Sequence, residues 1–125
     1  MTWRVSKTFR FEAAHKLPHH DGKCQRLHGH SYVMDITFQD DTLHTTGPKQ
    51  GMVIDFGDIS KVVKPLVNSH LDHHYLNDTL GEENPTAEVI ARWIWDELID
   101  KLPGLASVTI HETCTSAVTY EGARV

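Results

Sequence analysis

The chain has 125 residues, of which 39% are apolar and 23% charged, and this size and composition fit one globular domain over residues 1–125. Two cysteines are too few for the disulfide framework of a small secreted protein, and a net charge of −5 without a basic cluster argues against nucleic acid as a partner. No apolar run approaches the roughly 20 residues that span a bilayer, and the N-terminus lacks a signal-peptide core, so we expect a cytoplasmic protein with no membrane partner.

The first two predicted elements are strands, because apolar and polar residues alternate in both. In residues 3–15 most of the apolar side chains share one parity with His15, and in residues 28–38 all of them except Val33 share one parity with His28 and His30. A polar loop, KLPHHDGKCQRL, joins the two segments. Consecutive strands most simply pair antiparallel, so the end of the first is expected beside the start of the second.

A short apolar stretch at residues 52–54 predicts a brief third strand, and a helix is expected after it. Asp55 or Asp58 would cap this helix, whose apolar positions recur at intervals of three and four up to His70. Pro65 lies inside that pattern, so we expect a kink or break there.

The second predicted helix begins with Asn84 as N-cap and Pro85 in the first helical position, and it ends at Pro103-Gly104. Residues 105–120 alternate again and predict two short strands. The predicted fold class is α+β, an antiparallel four-stranded sheet with two helices on one face in the order β-β-α-α-β-β.

Ten histidines stand out in the composition, and three of them fall on the apolar parity of the first two strands. His28 and His30 are two residues apart and so project from the same face, about 7 Å from each other. Gly29 between them permits a close backbone approach, and strand pairing brings His15 beside them. Three neutral imidazoles with an open fourth position describe a catalytic zinc site. Taken singly, each histidine has the alternative of a local hydrogen-bonding role.

Cys24 lies in the polar loop, between Lys23 and Arg26 and four residues before His28. Neighbouring cations favour the thiolate, which is the useful form for removing a proton. Two alternatives remain open. Cys24 is a fourth ligand that closes a structural zinc site, or it is an inert thiol.

Three further residues suggest chemistry beside the histidines. Asp72 and His73 are adjacent, and such a pair forms a couple in which the carboxylate orients the imidazole, although a solvated loop is the alternative. Glu112 occupies the buried parity of a predicted strand, where a carboxylate must find a partner. The partner of the Glu112 carboxylate would be the donor edge of a pterin, a buried arginine or backbone amides.

These residues lie in motifs that resemble the 6-pyruvoyl-tetrahydropterin synthase superfamily. The chain is most similar to the bacterial branch, whose members make 6-carboxy-5,6,7,8-tetrahydropterin for queuosine (7-deazaguanine) biosynthesis. The resemblance covers nearly the whole chain. It rests on FEAAH at 11–15, CQRLHGH at 24–30, VIDF at 53–56, LDHHYLN at 71–77, ENPTAE at 83–88 and HETCT at 111–115.

The resemblance implies a T-fold that assembles into a homo-oligomer, a hexamer built as a dimer of trimers, with active sites at subunit boundaries. Met52 and Phe56 would then contact a neighbouring subunit. The implied site consists of zinc ligands His15, His28 and His30, proton-transfer residues Cys24, Asp72 and His73, a pterin anchor Glu112, and pocket residues Thr86 and Glu88.

The reaction implied by the resemblance is a zinc-dependent lyase reaction. It converts 7,8-dihydroneopterin triphosphate into 6-carboxy-5,6,7,8-tetrahydropterin and releases acetaldehyde and triphosphate, which Arg26 or Lys23 would meet unless they are simply solvated. The alternatives are a 6-pyruvoyl-tetrahydropterin synthase of biopterin synthesis, an aldolase-like relative that makes a 6-hydroxymethyl product, and a non-enzymatic zinc module.

Overall fold

The computed structural model describes residues 2–123, in which a five-stranded sheet carries helices on one face. Residues 1, 124 and 125 of the predicted domain lie outside this range. The strands are β1 (Trp3–His15), β2 (His28–Asp40), β3 (His74–Tyr75), β4 (Leu105–Thr113) and β5 (Ser116–Tyr120). The α-helices are α1 (Phe56–Leu66), α2 (Leu76–Thr79) and α3 (Ala87–Leu98), with a 3-10 helix at Lys23–Gln25 and a π-helix at Val67–Leu71. Within the described range, none of these helices has the length and apolarity needed to cross a membrane.

The sheet has the order β3-β1-β2-β4-β5. The four predicted strands pair antiparallel, as expected. The prediction of only four strands was wrong, because β3 adds two residues that pair parallel with Ala13 and Ala14 of β1. His73, which has a positive φ of 59°, turns the chain into this position and donates its N–H to the Glu12 carbonyl. A two-residue strand carries no alternation, so no sequence pattern could indicate it.

The predicted strand at residues 52–54 was also wrong, because this segment ends a closed loop. The His44 N–H donates to the Met52 carbonyl, and the Gly51 N–H donates to the His44 carbonyl. The Met52 N–H donates back to the Lys49 carbonyl. With its backbone groups used inside the loop, Met52 does not join a sheet.

The first helix begins as predicted, since the Asp55 side chain caps α1 by accepting from the Gly57 N–H at 2.8 Å. Pro65 does not break α1 and lies in its last turn. The break appears just after it, where the chain widens into the π-helix that closes with a bond from the Asp72 N–H to the Val67 carbonyl. Pro65 lacks the N–H that would bond to the Lys61 carbonyl, but the Val67 N–H still bonds to the Val63 carbonyl, so the helix passes through the proline before it widens.

The N-cap predicted for the second helix was wrong by two residues. Thr86 caps α3, because its hydroxyl accepts from the Val89 N–H at 3.2 Å. The Asn84 side chain instead accepts from the His19 N–H at 3.4 Å, a contact between distant loops. Asparagine is a preferred N-cap residue, but the tertiary contact with His19 uses the Asn84 side chain, so Thr86 caps the helix instead.

The apolar stripes of α1 and α3 pack on the sheet face formed by alternate residues of β1, β2 and β4. Each fully buried side chain of this kind contributes about 1.5–3 kcal/mol by leaving water. The fully buried core includes Tyr32, Phe11, Phe38, Met34, Ile36, Ile59, Ile90, Ile94, Leu98 and Ile110. At one end of the sheet this apolar face ends at the three histidines.

Candidate metal centre and active site

The register of β1 and β2 brings the three histidines together. His15 lies directly opposite His28, and Ala13 lies opposite His30. The ring centroids of the three imidazoles are 4.5–5.1 Å apart. One ligand atom from each lies within 4.8 Å of the others, so the three residues form a group that can hold a metal ion. The convergence predicted from strand parity is therefore confirmed.

Two of the rings are oriented by backbone carbonyls. His15 Nδ1 lies 2.8 Å from the Pro85 oxygen, and His28 Nδ1 lies 2.7 Å from the Arg26 oxygen. A carbonyl oxygen only accepts, so each Nδ1 carries the proton and each Nε2 presents a lone pair when the ring is neutral. The two Nε2 atoms lie 2.9 Å apart. Two facing lone pairs at this distance repel each other, and either a shared proton or a metal ion would relieve the repulsion; carbonyl-anchored imidazoles are typical of metal sites.

The third ring supports the same interpretation. His30 Nε2 is buried and, among the described residues, is the one buried side-chain nitrogen or oxygen without a hydrogen-bond partner. Burial lowers the pKa of both His15 and His30, so both rings stay neutral near pH 7. Neutral imidazole is the form that binds a metal, and an unpartnered buried nitrogen is costly without one. The residues therefore fit the predicted ion.

Glu112 reaches the histidines from β4. Its carboxylate oxygens lie 3.9 Å from His15 Nε2 and 3.8 Å from His30 Nε2, and the side chain is 29% exposed. The negative charge favours a cation at the same point, and burial together with this charge raises the pKa of the Tyr32 phenol. Strand parity predicted that Glu112 needs a partner, and the structure places its carboxylate beside the histidine group, at distances too long for a hydrogen bond to either ring. Its role as a pterin anchor stays a prediction.

Cys24 lies in the 3-10 helix of the loop between β1 and β2, where it is half-buried and free. Its carbonyl accepts from the Leu17 N–H at 3.1 Å, which ties the two sides of the loop together. The group of metal-binding atoms found among residues 2–123 comprises the three histidines and does not include Cys24. The structure thus gives no support to a fourth cysteine ligand, and the general-base role stays a prediction.

Asp72 and His73 form the predicted couple, with His73 Nδ1 2.9 Å from the Asp72 carboxylate. The other Asp72 oxygen accepts from the Glu12 N–H at 2.9 Å, and this bond and the one from His73 hold the pKa of Asp72 below its usual value. The His73 side chain is 79% exposed. It lines a cleft of about 520 Å³ together with the metal-site residue His30 and with Ser31. His73 and one member of the histidine cluster, His30, therefore line the same cleft.

The two remaining predicted residues lie at the start of α3. The Thr86 hydroxyl is used as the helix cap, which accounts for this residue without a ligand. Glu88 lies in the first turn of the helix and is exposed. Their assignment to a pterin pocket stays a prediction.

Sequence reasoning missed the groups that orient the histidine rings and hold the neighbouring segments in place. The Pro85 carbonyl orients His15, and a carbonyl carries no residue-type signal. Asn77 was missed as well. Its amide accepts from the Lys16 N–H at 3.0 Å and donates to the Lys16 carbonyl at 2.8 Å and to the Glu83 carbonyl at 3.1 Å. These bonds join the residue after His15 to the segment that contains Pro85.

The chain is similar in sequence and in fold to known tetrahydropterin synthases. A family model described as 6-pyruvoyl tetrahydropterin synthase matches residues 4–123. The 6-carboxy-5,6,7,8-tetrahydropterin synthase of Synechocystis sp. is 53% identical over 124 residues, which is 98% of this chain and 96% of that protein. The protein of the same name from Haemophilus influenzae is 35% identical over 95% of this chain and 99% of its own length. The solved structure of Caenorhabditis elegans 6-pyruvoyl tetrahydropterin synthase superposes with a TM-score of 0.83 at 26% identity, over 98% of this chain and 97% of that one.

Proposed function

Because the chain belongs to the 6-pyruvoyl tetrahydropterin synthase family, we propose that it is a 6-carboxy-5,6,7,8-tetrahydropterin synthase acting in queuosine biosynthesis as a single domain. The observation that carries this choice is the 53% identity, over nearly the full length of both chains, to a protein of that name. The cluster of His15, His28 and His30 supports a metal-dependent reaction. The two free cysteines fit a reducing compartment, the cytoplasm.

The metal proposed is zinc, since three neutral imidazoles with room for another ligand are the typical donor set of catalytic zinc. His15, His28 and His30 would hold the ion, with His15 and His28 kept in orientation by their Nδ1–H bonds to backbone carbonyls. A bound zinc ion supplies a Lewis acid that acidifies the C–H and O–H groups of the substrate side chain. The substrate proposed is 7,8-dihydroneopterin triphosphate, and the products are 6-carboxy-5,6,7,8-tetrahydropterin, acetaldehyde and triphosphate.

Two groups of the chain would move protons. Cys24, on the loop that leads into β2, would take a proton from the side chain of the substrate as its thiolate. His73 would handle the second proton at its ring nitrogen Nε2, because its Nδ1 is held by the Asp72 carboxylate. The shared cleft of His73 and His30 supports this assignment.

The pterin ring would lie towards β4. Glu112 lines a cleft of about 480 Å³ with Arg10 and Ser31, and its carboxylate can accept from the N–H groups of an amino-pyrimidinone. Because the same carboxylate lies beside His15 and His30, a ring bound there would hold the substrate side chain at the metal. Thr86 and Glu88 would extend the pterin pocket from α3.

The sheet edges support a homo-oligomer, proposed as a hexamer of two stacked trimers. In the described part of the chain, β3 covers only Ala13 and Ala14 on the outer edge of β1, and β5 forms the opposite edge. Open sheet edges can pair with another chain, and head-to-tail pairing of two different edges forms a ring when the rotation between subunits closes. Met52 and Phe56 are 38% and 54% exposed, which suits the proposed contact with a neighbouring subunit.

The test is to incubate zinc-loaded protein with 7,8-dihydroneopterin triphosphate and identify the products by mass. Acetaldehyde together with 6-carboxy-5,6,7,8-tetrahydropterin is the expected result. A 6-pyruvoyl product would reassign the chain to the second candidate, 6-pyruvoyl-tetrahydropterin synthase, the name that the family description and the Caenorhabditis elegans structure carry. No turnover by zinc-replete protein would remove the enzymatic proposal. Native mass spectrometry of the same sample gives the subunit number.

A further inference from the structure

The Asn77 side chain pairs with the backbone of Lys16 as a neighbouring strand would. β3 ends at Tyr75, which lies opposite Ala14, so its backbone pairing with β1 stops before Lys16. The Asn77 amide oxygen accepts from the Lys16 N–H at 3.0 Å, and the amide nitrogen donates to the Lys16 carbonyl at 2.8 Å. The side chain therefore continues the pairing of β1 beyond the end of β3.

The same amide also binds a third backbone group. Asn77 Nδ2 donates to the Glu83 carbonyl at 3.1 Å, so the amide uses its oxygen and both of its N–H groups. A set of one acceptor and two donors on so short a side chain is specific to asparagine. Ionised aspartate offers acceptors alone, and serine has a single donor. The residue type at position 77 is thus matched to all three backbone groups.

These bonds restrain both partners of the hydrogen bond that orients His15. Lys16 directly follows His15, and Pro85, two residues after Glu83, carries the carbonyl that lies 2.8 Å from His15 Nδ1. Both His15 and Pro85 are buried. The chain between Glu83 and Pro85 has little freedom, because proline fixes its own φ and restricts the residue before it. One side chain therefore holds the backbone beside His15 against the segment that carries its acceptor.

The other polar contacts between these two segments are weaker. The His19 N–H donates to the Asn84 side chain at 3.4 Å, which is long for a hydrogen bond. The His19 ring lies 3.1 Å from the Glu83 carboxylate, but the two side chains are 65% and 77% exposed, and pairs exposed in this way contribute little to stability. Among the described residues, Asn77 is therefore the main polar connection between the segments, apart from the bond from His15 to Pro85 itself.

We infer that Asn77 is a positioning residue for the metal centre and acts through His15, an inference that rests on the proposed metal-dependent function. It keeps the Pro85 carbonyl within reach of the His15 Nδ1–H, so that His15 Nε2 stays directed at the point where the three imidazoles converge. Such support holds a ligand in the required geometry before the metal binds. Removing a hydrogen-bond partner of a metal ligand typically weakens metal binding about 10–100-fold, and Asn77 lies one step further from the metal, so we expect about tenfold.

The test compares metal binding by the full chain and its variants. Zinc affinity is measured by competition with a chromophoric chelator, and Co²⁺ is used as a spectroscopic probe because its visible absorption depends on ligand geometry. Asn77→Ala and Asn77→Ser are expected to weaken zinc binding about tenfold and to change the spectrum of the Co²⁺ protein. The matched control is Asn68→Ala, since in residues 2–123 the exposed side chain of Asn68 makes no hydrogen bond. Its zinc affinity and Co²⁺ spectrum should equal those of the unchanged protein.

A purely structural role for Asn77 would give a different result. The metal-free variants would then melt at a lower temperature, while the folded protein would keep its zinc affinity and its Co²⁺ spectrum. That outcome overturns the positioning role and leaves the proposed reaction standing. Conversely, weaker zinc binding with an altered Co²⁺ spectrum, in a chain without synthase activity, would keep the positioning role and refute the reaction. Binding is measured well below the melting temperature of each metal-free variant, and Asn77→Ser provides the test if Asn77→Ala does not fold.

Discussion

His15 and His28 face each other across the β1–β2 pair, with their Nε2 atoms 2.9 Å apart and both Nδ1 atoms bound to backbone carbonyls. Neither ring can turn its N–H towards the other without losing a carbonyl bond. The strand pairing thus builds a site in which two lone pairs face each other, and a cation relieves their repulsion.

Zinc should therefore stabilise the fold. We expect one zinc ion per chain and a lower melting temperature after chelation, because a ligand at 1,000 times its Kd adds about 4 kcal/mol to the free energy of unfolding. His28→Ala should abolish stoichiometric zinc. The matched control is His44→Ala, which removes an exposed histidine outside the cluster and should retain the metal. Metal analysis and thermal melts of both variants provide the measurement.

Cys24→Ala should separate an enzyme from a structural zinc module. We expect turnover to fall by about 10²–10⁴-fold, the range for loss of a general base, with the zinc content unchanged. The control Asp21→Ala changes an exposed residue of the same loop and should keep most of the turnover. Parallel loss of metal and thermal stability in Cys24→Ala would instead indicate a fourth ligand.

His73→Asn tests proton transfer without disturbing the backbone. Asparagine tolerates the positive φ of 59° at this position better than most residues, so the turn into β3 should persist. We expect a large loss in kcat, a change in the pH–rate profile and normal zinc binding. A kcat close to that of the unchanged enzyme would show that the Asp72–His73 couple has only a structural role.

The metal-free protein should lose stability in mild acid. Burial lowers the pKa of His15 and His30 below 6.5 in the folded chain, so the unfolded chain binds more protons between that lowered range and 6.5. The free energy of unfolding therefore decreases as the pH falls through this window. Urea midpoints measured between about pH 7.5 and about pH 5.5 should decline, and His30→Asn should flatten the decline. The same midpoint at both ends would contradict the prediction.

Gly122→Ala should destabilise the C-terminal end of the fold. Gly122 has a φ of 79°, and an added Cβ would lie 2.5 Å from Cζ2 of Trp95, a ring that also packs against Tyr120. Gly47→Ala is the control, since its φ is 82° and nothing lies within 4 Å of its added Cβ. We expect about 1–2 kcal/mol of backbone strain in both variants and about 1–3 kcal/mol more at Gly122. Equal losses in chemical denaturation would show that Trp95 moves aside.

Alternation along β1 and β2 was sufficient to predict from the sequence that the three histidines form a cluster. A strand has a period of two, so His15, His28 and His30 share a face with the apolar residues around them, and a simple antiparallel pairing makes them converge. The parity of Glu112 and the adjacency of Asp72 and His73 are equally local properties. The prediction of a pterin substrate came from the resemblance of whole motifs to a known family, because periodicity carries no information about a ligand.

Only the tertiary structure decided the supporting contacts. The Pro85 carbonyl, the Asn77 amide and the two-residue strand β3 act through backbone groups that every residue has, so their partners depend on how distant segments meet. For the same reason Asn84 is diverted to His19 and leaves the cap of α3 to Thr86. Local patterns of side chains determined which residues converge on the site, and long-range backbone bonds determined how those residues are held.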